Sequence, residues 1–461
     1  MRKLSRYLSA SVVALTLAGP AYADESADQL QKRVDDLEAT VDALRSEIAD
    51  IRKTPDYSKG AANFQTTSGD FSFKVRGQVA IDAGVFNGRK GTIDYNDGTD
   101  IPRARLGVDG TFAKDWAYRL EADFSKASRD DTTTPSELDL KDAYVSYNGI
   151  GEKWKVTVGQ QKTPNTLERV NPSSDLLFVA VPTAVEAFTN RSTAGGDYKI
   201  GTLVNYTDVN YTAALGVFGE NLSAQGGTGG AKTGKDEGWG PAARVTWAPI
   251  NKNDEVLHLG LSGYYRTAGG RNNIRFRSTP EVTIDGNRLV DTGTLTGINA
   301  YSFEGAELAG VYGPFFFQSE YLLSQVDQKV GPDLNFDGAY AEIAYALTGE
   351  SRLYKAGAFS RLKPNKPFDL STGGWGAWEI AGRYSTIDLT DSALAANKQG
   401  GKEHNWSFGV NWYPNSFVRV LADYVKFDAS DATANVGAGA ANLPTADNAG
   451  DAFITEISVI W

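Results

Sequence analysis

The sequence predicts an all-β transmembrane barrel of about 16 antiparallel strands, preceded by a short N-terminal coiled-coil helix. Three observations predict it. From residue 71 onward, apolar side chains recur at period two, so each strand has one apolar and one polar face. The polar faces carry ionised Arg, Glu and Asp in mid-strand, which a dry sandwich core would not hold but a water-filled lumen would. The apolar faces often begin and end in Trp or Tyr, the pattern of a membrane-interface girdle.

Composition excludes the main rivals. The 461 residues include 49 Gly and 11% aromatics, no Cys, one Met and two His, with a formal net charge of −11. Without cysteine there is no disulfide framework, thiolate metal site or cysteine nucleophile. The isolated His258 and His404 leave little for imidazole metal chemistry, and no cofactor is implied. The acidic balance argues against nucleic acid as a partner. Beyond the N-terminus no run of about 18 apolar residues exists to form a spanning helix.

The elements follow in chain order. Arg2, Lys3 and Arg6 precede an apolar run from Tyr7 to Ala18 and a small-x-small site at Ala21-Tyr22-Ala23, so residues 1–23 read as a signal peptide. Its removal takes away three positive charges and leaves the mature chain more acidic. Leu30, Val34, Leu37, Val41, Leu44, Ile48 and Ile51 then alternate spacings of four and three, a coiled-coil seam within a periplasmic segment 24–54. Such a helix is marginal alone, which implies self-association or docking on a partner; the seam leaves two strands against three open. Thr54-Pro55 ends it, and residues 55–70 read as a linker.

The barrel occupies 71–461. Val75 and Val79 alternate with Arg76 and Gln78; Ala104, Leu106 and Val108 with Arg103, Arg105 and Asp109; Trp116, Tyr118 and Leu120 with Arg119, Glu121 and Asp123. Trp406, Phe408, Val410 and Trp412 repeat the pattern, and Phe453, Thr455, Ile457, Val459 and Trp461 form a terminal row like the signal read by outer-membrane assembly machinery. Short turns such as Tyr413-Pro414-Asn415-Ser416 alternate with long polar loops such as 219–240 and 426–451, as periplasmic turns and extracellular loops do. Every backbone group must be paired in lipid, so the sheet must close. Sixteen strands allow about 24 residues each and eighteen about 22, either leaving an aqueous channel.

The chain resembles the phosphate-selective porin family, porins O and P. The resemblance rests on Pro102-Arg103-Ala104-Arg105-Leu106, on Thr163-Pro164-Asn165-Thr166-Leu167-Glu168, and on Arg275-Phe276-Arg277-Ser278-Thr279-Pro280-Glu281 followed by Arg288-Leu289-Val290-Asp291-Thr292-Gly293. Leu347-Thr348-Gly349-Glu350, Trp378-Glu379-Ile380-Ala381-Gly382-Arg383 and Asn411-Trp412-Tyr413-Pro414-Asn415 continue it in order. It implies a 16-stranded homotrimer in the outer membrane, among lipid and lipopolysaccharide, whose third loop folds inward and whose arginines and lysines select small anions such as phosphate. It departs from the family's pattern at Thr279 and Pro102, where arginines would stand.

The candidate anion-binding residues are therefore Arg275, Arg277, Arg103, Arg105, Lys162 and Arg169. Arginine presents a permanently charged fork of donors that matches phosphate oxygens. Arginines two apart on an extended chain share a side, as Arg103 with Arg105 and Arg275 with Arg277 do. Other readings stand beside this one. Arg275 and Arg277 would fit a solvated outer loop, and Arg103 and Arg105 a structural ion-pair ladder with Glu121 and Asp123. The inferred third loop, 162–191, is neutral, and Arg383 with Glu379 would form a wall pair. Alternative functions are a general porin of weak or cation selectivity, or a spacer whose coiled coil contacts peptidoglycan. No nucleophile with an activating base is evident, so an enzyme is not expected.

Overall fold

The computed structural model describes residues 31–42, 63–66, 68, 70–91, 93–125, 139–189, 197–221, 236–394, 400–431 and 447–461. The chain divides into two compact units, 1–56 and 57–461. In the first, residues 31–42 are helical, with Val34, Leu37 and Val41 of the expected seam all exposed. The segment read as a signal peptide and the remainder of the expected seam lie outside the described residues.

The second unit is built on sixteen strands: β1 (Ser72–Lys90), β2 (Gly98–Phe112), β3 (Trp116–Asp123), β4 (Asp139–Tyr147), β5 (Trp154–Lys162), β6 (Tyr198–Thr207), β7 (Tyr211–Phe218) and β8 (Gly240–Asn251). They continue as β9 (Glu255–Thr267), β10 (Ile298–Tyr312), β11 (Phe315–Gln328), β12 (Leu334–Ala346), β13 (Ala377–Asp388), β14 (Lys402–Tyr413), β15 (Val418–Ser430) and β16 (Asn448–Ile460). Each pairs antiparallel with its chain neighbours, as β1 does with β2 and β15 with β16. β16 returns to β1, from Gln78↔Ile460 to Lys90↔Ala449, so the barrel closes without an edge. Asn63–Gln65, inside the segment read as linker, forms a short additional strand against β1.

Side-chain facing follows the alternation. On β14, Trp406, Phe408 and Val410 point out and are exposed, while Glu403, Asn405, Ser407 and Asn411 point in and have no exposed surface. Outward aromatics gather at the two ends: Trp116, Trp154, Tyr211, Trp247 and Tyr312 at one, Tyr265, Tyr384, Trp406 and Tyr424 at the other. Trp116 packs on Tyr147 at 4.9 Å and Trp154 on Tyr206 at 5.0 Å, forming the expected belt. At the closing seam, Trp461 exchanges two backbone hydrogen bonds with Gly77, and its indole occupies the space a Cβ on Gly77 would need.

The connections at one end are short: 113–115, 148–153, 208–210, 252–254, 313–314 and 414–417. The exception is 347–376, a long segment on the side where the alternation predicted only turns. The last long loop is also shorter than 426–451, because β15 runs to Ser430 and β16 starts at Asn448. Three segments enter the lumen: 163–189 and 268–297 from the loop end, 347–376 from the turn end. Phe188, Phe276, Phe303 and Phe336 make one buried cluster; Leu167, Phe178, Phe316 and Phe359 make another. The filling lies against the β9–β15 wall and leaves open the side lined by β1–β8.

Candidate functional site

Pairing between β1, β2, β3 and β4 sets the charged wall of the open side. Register places Arg105 opposite Asp123 and Asp109 opposite Arg119, all inward. Arg105 Nε meets Asp123 Oδ2 at 2.9 Å, Arg76 Nε meets Glu121 Oε2 at 2.9 Å, and Arg119 Nη1 lies 3.7 Å from Asp142 Oδ2. These rungs border a cavity of about 920 Å³. Nine cations line it: Lys74, Arg76, Arg105, Arg119, Lys155, Lys162, Arg244, Arg361 and Lys363. Among the described residues, only Glu121, Asp142 and Asp175 are side-chain carboxylates along that lining. Among the described residues, Lys74, Lys155 and Lys363 have no ion-pair partner.

Segment 163–189 is laced across the lumen. Its first turn, Leu167–Val170, is capped by Thr166, whose hydroxyl accepts from Arg169 N–H. The Glu320 carboxylate on β11 accepts the N–H groups of Leu167 and Glu168, each at 2.9 Å. Glu168 is itself buried, and its carboxylate accepts from Gln318 at 2.7 Å. Further along, Val179 N–H donates to Asp423, and Arg419 joins Glu456 to the Leu176 carbonyl. Arg383 donates to the Ala180 carbonyl and stacks over Phe178 at 4.4 Å.

The six sequence candidates divide among three positions. Arg105 and Lys162 line the cavity. Arg105 Nη1 also donates to Ser173 at 2.8 Å, and Lys162 Nζ donates to the carbonyls of Arg169 and Asn171 at 2.7 and 3.3 Å. Arg103 and Arg169 hold the inward segment: Arg103 pairs with Glu456 at 2.9 Å and donates to the Val179 carbonyl, while Arg169 donates to Thr189 and faces Asp197 at 3.9 Å. Arg275 and Arg277 lie in segment 268–297, away from that cavity. Arg275 Nε donates to Asp291 Oδ1 at 2.7 Å, and Arg277 is buried directly opposite Asp291 in a two-rung ladder. Burial disfavours the Arg277 charge and Arg288 adds to that, with Asp291 opposing.

Other pairings differ from the sequence expectation. Arg383 and Glu379 share a face of β13, yet each takes a partner from an inward segment: Arg383 pairs with Glu281 at 2.6 Å and Glu379 with Arg352 at 2.8 Å. Arg244 on β8 grips Glu307 on β10 with both arms, at 2.8 and 2.7 Å, across the intervening β9. His258 sits beneath that pair, joining Glu307 to the Tyr354 hydroxyl of segment 347–376. Strand alternation could have singled out Arg76, Arg119, Lys155 and Arg244, since each is on a polar face. No periodic signal marks Arg361 and Lys363, which come from the long connection 347–376.

Residues 73–444 match the family "Phosphate-selective porin O and P". The chain is similar to Porin O of Pseudomonas aeruginosa, 29% identical over 438 residues covering 88% of this chain and 92% of that protein. It is also similar to an uncharacterised protein of Caulobacter vibrioides, 30% identical over 381 residues, 81% of this chain and 72% of the other. Among solved structures, in-vitro folded OmpT of Vibrio cholerae superposes with a TM-score of 0.51 at 12% identity, covering 85% of this chain and 98% of OmpT. OmpF of Salmonella typhi in complex with daunomycin gives 0.50 at 11% identity, with 85% and 98% covered. These two likenesses bear on the fold.

Proposed function

The chain belongs to the phosphate-selective porin O and P family and is a porin of the Gram-negative outer membrane, and on that premise we propose that its lumen passes small hydrophilic anions, phosphate or related oxyanions among them, by passive diffusion. The observation that carries the proposal is the excess of cations along the cavity, in a protein whose net charge is −11. Low-dielectric walls focus the field of the charges that line a pore, so the lining outweighs the distant loops. Arg76, Arg105 and Arg119 are partly neutralised by their rungs, whereas Lys74 and Lys155 are not. Graded charge of this kind attracts an anion without trapping it, as conduction requires. In this reading Arg105 and Lys162 are contact points for the passing anion, Arg103 and Arg169 hold the segment that narrows the pore, and Arg275 and Arg277 act at the loop-end entrance.

We further propose a homotrimer, with copies of the helix at 31–42 joined through Val34, Leu37 and Val41 on the periplasmic side. The exposed apolar stripe supports association of that helix, with itself or with peptidoglycan. Outer-membrane lipid and lipopolysaccharide would surround the aromatic belts.

The test is the reversal potential of the purified full chain in a planar bilayer under a potassium chloride gradient, followed by addition of phosphate. Anion-selective current reduced by phosphate is the expected result. Cation-selective current would overturn the anion reading and favour a general porin of cation preference. Folded protein without conductance would favour a structural spacer.

A further inference from the structure

A second set of donors lies at the turn end of the cavity, contributed by segment 347–376. Segment 347–376 re-enters the lumen and leaves Arg361 only 4% exposed. Its Nη2 donates to the Ser416 carbonyl, but its Nη1 has no hydrogen-bond partner, although Arg361 lines the cavity. No carboxylate of the described residues forms an ion pair with it. Asp175 is the nearest countercharge in effect, and that carboxylate already accepts from Ser174 at 2.7 Å. Arg419 adds a like charge from the other side. A buried guanidinium with an idle arm is costly unless something completes it.

A neutral donor stands on the neighbouring wall. Gln78 is 7% exposed; its Oε1 accepts from Ser173 at 3.2 Å, while its Nε2 has no partner. Gln78 pairs with Ile460, whose N–H donates to Phe417, the residue after Ser416. Two strand spacings, about 10 Å, therefore separate the backbone of Gln78 from that at Ser416, whose carbonyl the Arg361 side chain reaches. Lys363, two residues beyond Arg361, lines the same cavity without an ion-pair partner.

We propose that this end of the cavity is an oxyanion-binding subsite, in which Arg361 Nη1 takes one oxygen of a phosphate, sulfate or carboxylate group, Gln78 Nε2 a second, and Lys363 supplies charge. The subsite deepens the anion reading above and rests on it. It adjoins Arg105, which stands opposite Gln78 across the β1–β2 pairing and shares Ser173 with it, and it adds the donors of segment 347–376 to that wall.

The experiment uses the full chain in planar bilayers, with protein added from one compartment so that insertion has one direction. Inorganic phosphate is titrated on each side in turn against chloride current, with sulfate and acetate run in parallel to assign the class of anion. In Arg361→Gln the half-blocking concentration from the turn side should rise about tenfold or more for at least one of the three anions, the loss of one charge-assisted hydrogen bond. The loop-side value should move less. Arg361→Lys, which keeps the charge and loses the fork, should show a smaller rise by the same readout. It decides the matter if Arg361→Gln does not fold, as judged by the heat-modifiable mobility of the barrel. Wild-type values on both sides in a folded variant, for all three anions, overturn the subsite alone. Cation-selective wild-type current overturns the anion reading and the subsite with it.

Discussion

Arg105 on β2 and Asp123 on β3 face each other across the sheet, Nε to Oδ2 at 2.9 Å, while the other arm of Arg105 reaches Ser173 on the inward segment at 2.8 Å. One guanidinium thus belongs both to the wall and to the narrowing. Asp123 also accepts from Ala104 N–H and from Ser125, which hold its carboxylate in place whatever Arg105 does.

Asp123→Asn should strengthen anion preference and Arg105→Gln weaken it. A unit charge about 10 Å away in a water-filled lumen is worth about 0.4 kcal/mol, of opposite sign for chloride and potassium, so each change should alter their permeability ratio about fourfold. Reversal potentials in a potassium chloride gradient measure this. Shifts of the same sign for both variants would count against a field set by this pair.

Arg383→Gln should loosen the lumen filling without opening the barrel. Glu281 accepts from Arg383 Nε and Nη2 at 3.0 and 2.6 Å, from Ser385 and Ser407, and from Thr183 N–H. Removing the cation leaves a buried carboxylate uncompensated, at a cost of about 3–5 kcal/mol. Limited proteolysis should then cut within 268–297 while the strands stay resistant. Unaltered resistance there would show that the clamp is not what holds the segment.

Gly77→Ala should destabilise the closing seam, because the new Cβ would meet the Trp461 indole. Overpacking of this kind costs about 1–3 kcal/mol. The temperature at which the folded band converts on electrophoresis should fall, and Trp461→Ala in the same chain should restore part of it. Simple additivity of the two changes would argue that they do not meet.

Asp197, at the foot of the inward segment, gives a pH prediction. Burial pushes its carboxyl up, but Arg169, Lys141, Lys162 and Arg105 outweigh burial and hold it below the usual carboxylate value of 3.8. The folded pKa is below the unfolded one, so its stabilisation is fully present above about pH 4 and is lost as pH falls through the folded value. Protease protection of 163–189 should therefore be constant from neutral pH to about pH 5 as far as this group is concerned, and fall only in stronger acid. In Asp197→Asn that acid-dependent step should be reduced.

Leu37→Asp combined with Val41→Asp should weaken oligomers if the helix joins copies of the chain. Each apolar side chain buried in such a seam contributes about 1.5–3 kcal/mol. Cross-linking and native mass should show loss of the trimer at low protein concentration. A trimer of unchanged stability would assign assembly to the barrel wall.

What was legible in the sequence is what local pattern dictates. Period two, with charges on one face and aromatics at the ends, specifies a closed membrane barrel, because lipid tolerates no unpaired backbone. The Arg105–Asp123 rung was legible as well: β2 and β3 are joined by the short turn 113–115, and a tight turn sets register. Arg383 and Glu379 show where that reasoning stops. Their shared face is a matter of alternation, but their partners Glu281 and Arg352 arrive from segments without periodicity. The same holds for Arg361, whose position depends on segment 347–376 folding back into the lumen. The sequence by itself determined the architecture and an acidic total of −11. Only the tertiary structure decided that the open side of the lumen is basic, because the field in a pore depends on which charges project into it and which are already paired, not on their sum.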